Sequence, residues 1–216
     1  ESLVIATGGL SFPKIGATDF GYKIARQFKL KIVETKPSLV PLVFSNLQLT
    51  KLAGVSVDSI VSVGKREFRE NILFTHRGLS GPAILQISNY WQKDKPISIN
   101  LLPTENALEL LENNRDNKQN LDNFLSKFLP NRVAETLFAS NKPLNQTSKK
   151  ELEKIAEKLN TWQVNFNETE GYHKAEVTIG GVDTNELSSQ TMESKRVKGL
   201  YFIGEVVDVT GWLGGY

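Results

Sequence analysis

The chain reads as an α/β fold whose sheet is assembled from its two ends, with a β-barrel and a helical subdomain inserted between them. Three observations predict it. Leu3-Val4-Ile5-Ala6-Thr7-Gly8-Gly9, the run from Lys174 to Asp183 through Gly180-Gly181, and the run from Val197 to Gly204 are apolar stretches from distant parts of the sequence that each end in glycine. Strands end this way where the carboxyl edge of a sheet meets a nucleotide and backbone must come close to a ligand. Residues 37–103 instead carry short, partly alternating apolar segments separated by Gly, Pro or charged turns, the pattern of an antiparallel barrel. Residues 104–162 switch to helical spacing. The expected boundaries are 1–36 and 163–216 for the sheet domain and 37–162 for the insert, which divides into a barrel at 37–103 and a helical part at 104–162.

Composition narrows the function classes. With 216 residues, 39% of them hydrophobic, the chain can bury a sizeable core. It has no cysteine, which excludes disulfides, thiolate metal sites and dithiol chemistry and fits a reducing cytoplasm. Redox work would need a bound cofactor. The 26 basic and 24 acidic residues are well mixed, and the net charge of +2 argues against a nucleic-acid partner. No apolar run has the length of a membrane span and there is no signal-peptide pattern, so the expected partner is a small-molecule substrate. The chain starts at Glu1 with a strand and stops at Tyr216 where a helix is expected, which reads as a segment excised from a longer protein.

The elements follow in order. After the first strand, turn formers lead to a helix at Tyr22–Phe28, with Thr18 or Asp19 as its cap, its first amides aimed toward Gly8-Gly9. Strands are expected at Leu39–Phe44, Val55–Val63, Glu67–Phe74 and Ile97–Leu102. Between the last two, Ser80 is expected to cap a helix that carries Pro82 in its first turn. His76 and Arg77, beside that helix start, are candidates for proton donor and charge partner. Helices are expected at Ala107–Leu111, Leu121–Leu129 and Val133–Phe138, and another from Ser148 to Leu159. In the last of these Ser148 and Glu151 form a capping box, and the lysines make a solvated face balanced by glutamates. Trp162–Phe166 returns to strand alternation.

Assembled, these pieces resemble the BaiN-like family of bacterial NAD(P)/FAD-dependent oxidoreductases. The resemblance is carried by Ala6-Thr7-Gly8-Gly9-Leu10-Ser11-Phe12-Pro13 with Gly16, the block Leu73 to Ala83, Ala175-Glu176-Val177-Thr178-Ile179-Gly180-Gly181-Val182, Thr191-Met192-Glu193-Ser194-Lys195, and Gly199 to Asp208. It implies a partial FAD-binding three-layer α/β domain interrupted by a β-barrel and a helical subdomain. Two features depart from the family: the chain lacks the N-terminal G-x-G-x-x-G fingerprint, and Thr18-Asp19-Phe20-Gly21-Tyr22 shifts the usual acid by one place. Without the fingerprint, the segment is expected to retain FAD poorly or not at all.

The resemblance also implies the site. Glu205 matches the acid that accepts from the flavin's ribityl hydroxyls, and Asp208 with the Gly211 to Gly215 loop would lie near the flavin ring. The cofactor-binding set is therefore Thr7, Gly8, Gly9, Gly180, Gly181, Gly204, Glu205, Asp208, Gly211, Gly214 and Gly215, with NAD(P)H as hydride source. No catalytic residue stands out; His76 is the candidate, with His173 the other near-neutral titrator. Two rival functions stand beside the oxidoreductase: a flavin-dependent tRNA-modifying enzyme, and a non-catalytic binding module built on the barrel and helices.

Overall fold

In a computed structural model, residues 1–44, 47–140 and 142–214 are described. The chain divides into two compact units, Glu1–Val40 with Thr169–Tyr216, and Pro41–Glu168.

The first unit joins the two ends of the chain. Strand β1 (Leu3–Ile5) pairs in parallel with the strand Leu200–Phe202, here β11, in the register Leu3↔Leu200, Val4↔Tyr201, Ile5↔Phe202. Parallel pairing needs a long crossover, and the rest of the chain supplies it. Helix α1 (Phe20–Gln27) buries Tyr22 and Ala25 into a core with Ile5, Leu30, Phe202 and Val206. Its N-cap is Asp19, but the Asp19 carboxylate makes no capping bond; it pairs with Lys23 at 2.8 Å instead. Thr18 Oγ1 accepts only a long bond, 3.5 Å, from Phe20 N–H.

Strand β2 (Ile32–Ser38) is absent from the sequence reading because Glu34, Thr35, Lys36 and Pro37 give it no apolar run. It pairs antiparallel with β10 (Val177–Val182), and the register slips between Ile179 and Gly181. That slip is a β-bulge at Gly180, whose φ is +83°. A side chain there would collide with the Glu34 carbonyl of β2.

The second unit is a seven-stranded sheet with a helical subdomain. In chain order its strands are β3 (Leu42–Phe44), β4 (Ser56–Val63), β5 (Arg66–Phe74), β6 (Gly78–Ser80), β7 (Ile97–Asn100), β8 (Trp162–Val164) and β9 (Phe166–Thr169). The spatial order is β8-β7-β4-β5-β6-β3-β9. The first and last strands in that order are separated in sequence by Asn165 alone, so the sheet curls until its edges nearly meet. The β4–β5 hairpin turns at Gly64-Lys65, with Gly64 at the φ of +58° that such a tight turn asks of its first residue.

Helix α2 (Pro82–Ser88) puts Ala83, Ile84 and Ile87 into the sheet's core and carries Pro82 in its first turn. Its N-cap is Gly81, whose φ is +89°; Ser80 belongs to β6 and caps nothing. Gly81 rests on the backbone of β5 at Asn71 and Leu73, so only glycine can turn the chain from strand to helix there.

Helices α3 (Ala107–Asn113), α4 (Leu121–Leu125), α5 (Asn131–Phe138) and α6 (Lys149–Asn160) complete the unit. Ser148 and Glu151 form the expected capping box of α6. Asn160 ties this subdomain to the sheet: its amide donates to Asn100 Oδ1 (3.0 Å), Leu102 O (3.3 Å) and Glu105 O (3.1 Å), while its Oδ1 accepts from Ala107 N–H (2.8 Å).

Candidate functional site

Thr178, fully buried on β10, is the knot of the first unit. Its hydroxyl accepts from Leu10 N–H at 2.8 Å and lies 3.3 Å from Ser11 Oγ, just past the glycine turn of β1. Its own N–H donates to Glu205 Oε1 at 2.7 Å, just past β11. Three strands from distant places in the sequence thus meet at one residue; β10, expected to end in its paired glycines, instead carries Gly180-Gly181 as an internal bulge and runs on to Val182. Sequence reasoning missed Thr178, because a threonine inside an apolar strand carries no signal beyond β-propensity.

The glycines at this junction divide into two kinds. Gly9 is buried, and a Cβ on it would overlap Glu205 Oε1 and the Thr178 side chain. Gly180 is the bulge residue, and a Cβ on Gly181 would strike the Val206 carbonyl. Those three make room for the protein's own atoms. Gly8, Gly204 and Gly214 hold φ of +70°, +75° and +94°, and nothing lies within 4 Å of where their side chains would stand. Thr7 is exposed, its hydroxyl against Gly21 in the first turn of α1.

Beside the junction is an open cavity of about 410 Å³. Gly204, Glu205, Gly211, Trp212 and Gly214 form one part of its lining, Leu39 and Met192 another. That volume is in the range of a small-molecule site. Leu39 and Met192 have φ of +48° and +60°, a left-handed backbone that costs a side-chain-bearing residue energy and recurs at ligand sites. Asp208 lies outside the lining, and its N–H donates to Val182 O at 2.9 Å. Gly215 falls outside the described residues.

Two buried phenols also bear on the site. The hydroxyls of Tyr22 and Tyr172 have no hydrogen-bond partner among the described residues. Burial, then the charge of Glu205 and the neighbouring Tyr172, push the Tyr22 phenol up to about 12. It therefore stays a neutral donor at any physiological pH. Glu205 Oε2 accepts from no donor among the described residues, so the neighbourhood holds two idle donors and one idle acceptor. No cluster of His, Asp or Glu that could hold a metal ion occurs among the described residues.

His76 lies in the second unit, exposed at the tip of the β5–β6 turn. Thr75 Oγ1 braces that turn by accepting from Arg77 N–H (3.2 Å) and Gly78 N–H (2.9 Å). The block around His76 is thus explained locally: a side chain on Gly78 would collide with the Leu42 carbonyl of β3. His173 is exposed as well. No helix among the described residues is long and apolar enough to cross a membrane.

Comparison with known proteins places this architecture. A protein of Escherichia coli strain K12 named ribosomal RNA dihydrouridine synthase is 52% identical over 226 aligned positions, and one of that name from Haemophilus influenzae strain Rd is 45% identical over 225. A 3-dehydro-bile acid delta(4,6)-reductase of Clostridium scindens is 27% identical over 237 positions. Each alignment takes in the whole of this chain and 56–58% of the relative, so the chain spans little more than half their length.

The two relatives named for ribosomal RNA overturn the reading, drawn from charge, that argues against a nucleic-acid partner. Net charge sums over the whole surface, whereas a contact with phosphates needs only a local excess of cations. Residues 36–177 match the family model described as the HI0933-like protein barrel and H2TH domain, and the chain belongs to that family.

Proposed function

We propose that the chain forms part of an FAD-dependent enzyme that reduces a uracil base of ribosomal RNA to dihydrouracil. The observation that carries this reading is the 52% and 45% identity, across the whole chain, to two proteins named for that product. It is the RNA-modifying alternative of the sequence analysis, with ribosomal RNA in place of tRNA.

Dihydrouridine is uridine with its C5–C6 double bond saturated. Because that bond is conjugated with the C4 carbonyl, reduction adds hydride at C6 and a proton at C5. The bile acid reductase's name likewise denotes reduction of carbon–carbon double bonds. Protein side chains do not deliver hydride, so the chemistry calls for a redox cofactor. When bound and reduced by NADH or NADPH, FAD supplies that hydride.

The residues beside the cavity fit such a group. Glu205, in the lining, has an Oε2 with no donor among the described residues, which suits the hydroxyl-rich ribityl chain, and the Tyr22 phenol lies close enough to Glu205 to feel its charge. Gly204 and Gly214 leave open backbone where a ring can lie, and Trp212 and Met192 add apolar surface beside it. Glu205 thus does two jobs in this proposal, one oxygen tying β10 to β11 and the other toward the cofactor. Excluding water and holding a flat ring against backbone are tasks this chain can perform.

The test uses full-length protein. Its absorbance should carry flavin bands that bleach on anaerobic mixing with NADH or NADPH. Incubation with unmodified ribosomal RNA should then give dihydrouridine, detected by nucleoside mass spectrometry. Absence of flavin would refute the cofactor, and bleaching with the RNA left unreduced would move the reading to a small-molecule oxidoreductase, which the 27% relative favours. Glu205→Ala should weaken flavin retention by about 1–3 kcal/mol, the scale for a lost buried hydrogen bond. Glu205→Gln, which keeps an acceptor for Thr178 N–H, should lose less.

A further inference from the structure

The helical subdomain holds a second hollow, of about 350 Å³. Its apolar lining includes Leu137 and Phe138 of α5 and Ile155 of α6, and its cations are Lys142, Lys154 and Lys158. The charges are not balanced. Glu151, the acid of the lining, is already engaged: it accepts from Ser148 N–H at 2.8 Å and the Ser148 hydroxyl at 2.7 Å, and pairs with Lys142 at 3.1 Å. Those donors hold its carboxyl down at about 2, so it stays ionised and committed to them.

Lys154 and Lys158 have no carboxylate within ion-pair distance among the described residues. Lys158 Nζ donates to Leu137 O at 2.7 Å and stands 5.1 Å from the centre of the Phe138 ring. Burial lowers its pKa, a cost that a bound anion would offset. Lys150 continues the row: 150, 154 and 158 are spaced by four, on one flank of the helix at steps of about 6 Å. Glu153 and Glu157, on the neighbouring flank, do not line the hollow.

An apolar floor of Leu137 and Ile155, with lysines that lack a carboxylate at its rim, matches a single-stranded nucleotide, with base against the floor and phosphate against the ammonium groups. We infer that this hollow binds the RNA substrate through its backbone phosphates, at Lys154 and Lys158, with Lys150 extending the track. This rests on the ribosomal RNA reading above and adds to it a place on the molecule.

The experiment measures binding of full-length protein to protein-free ribosomal RNA across a series of salt concentrations. Lys154 is exposed and makes no hydrogen bond or ion pair among the described residues, so Lys154→Gln tests the charge without risk to the fold; Lys154→Gln with Lys158→Gln tests the pair. Each lysine removed should lower the slope of log affinity against log salt by about 0.7, the single-strand value per phosphate, and the pair should weaken binding about tenfold at moderate salt. Lys65→Gln, at the β4–β5 turn, removes the same charge elsewhere and should leave the slope unchanged. Equal slopes for wild type and both lysine variants would overturn the inference while leaving the RNA reading intact, and would leave the hollow to an acidic protein. A wild-type protein that shows no RNA affinity at low salt would overturn the reading itself and this inference with it.

Discussion

At the residue scale, Tyr22 makes the sharpest case. Its hydroxyl is buried without a partner among the described residues, which costs stability in the ligand-free chain. Tyr22→Phe should therefore leave the flavin-free protein as stable as wild type or more so, while weakening flavin retention if that hydroxyl contacts the cofactor. The pH dependence has a definite sign. The folded phenol is raised to about 12, whereas an unfolded tyrosine titrates near 10. Folding therefore favours the protonated form, so this contribution is whole below pH about 10 and is lost as pH rises toward about 12. Thermal melting of wild type and Tyr22→Phe from pH 9 upward checks it: the wild-type melting point should fall more steeply over that window. Parallel curves would mean that Tyr22 is not held neutral by its surroundings.

At the scale of elements, local signals were legible and contacts were not. The capping box at Ser148 and Glu151, Pro82 in the first turn of α2 and the alternation of β4 could all be read along the chain, because each depends on neighbours within four residues. Ser80 was misread for the same reason. A serine before a proline looks like a cap, and only the β5 backbone lying against Gly81 shows that the chain is still extended there. Strand β2 could not be seen, since an edge strand holding Pro37 and three charged or polar neighbours has no apolar pattern. Asn160 gave no sign either, although it links α6, α3 and the end of β7. Asn160→Ala removes an acceptor from Ala107 N–H and a donor from three oxygens, and should cost about 1–3 kcal/mol by chemical denaturation. A smaller loss would mean that water replaces the amide.

On the scale of the whole molecule, each unit has its own hydrophobic core. One gathers Ile5, Tyr22, Leu200, Phe202 and Val206, and the other the sheet and helices between Leu42 and Phe166. The second unit enters on β3 and leaves on β9, which are hydrogen-bonded neighbours, so its ends are adjacent. Residues 41–168 expressed alone should therefore fold and unfold cooperatively. Within that piece Phe74→Ala, at a fully buried ring packed on Phe44 and Trp162, should cost about 3–5 kcal/mol. Calorimetry on the isolated piece, with and without the substitution, decides both points, and a piece without a cooperative transition would show that this core needs the rest of the chain.

By itself the sequence determined the periodicities: most of the strands and helices, and that the two ends share an apolar, glycine-ended design, while β2 and β6 left no such pattern. These are properties of short windows, set by steric preference and by the pattern of apolar side chains. Tertiary structure alone decided what the glycines are for. Gly9, Gly180 and Gly181 yield space to Glu205, Glu34 and Val206, while Gly8, Gly204 and Gly214 face open space. It also selected Thr178 as the junction of the three strands, and showed which lysines lack a carboxylate. A glycine's missing side chain and a lysine's missing partner are facts about atoms brought close by folding from remote places in the chain, and no local pattern records them.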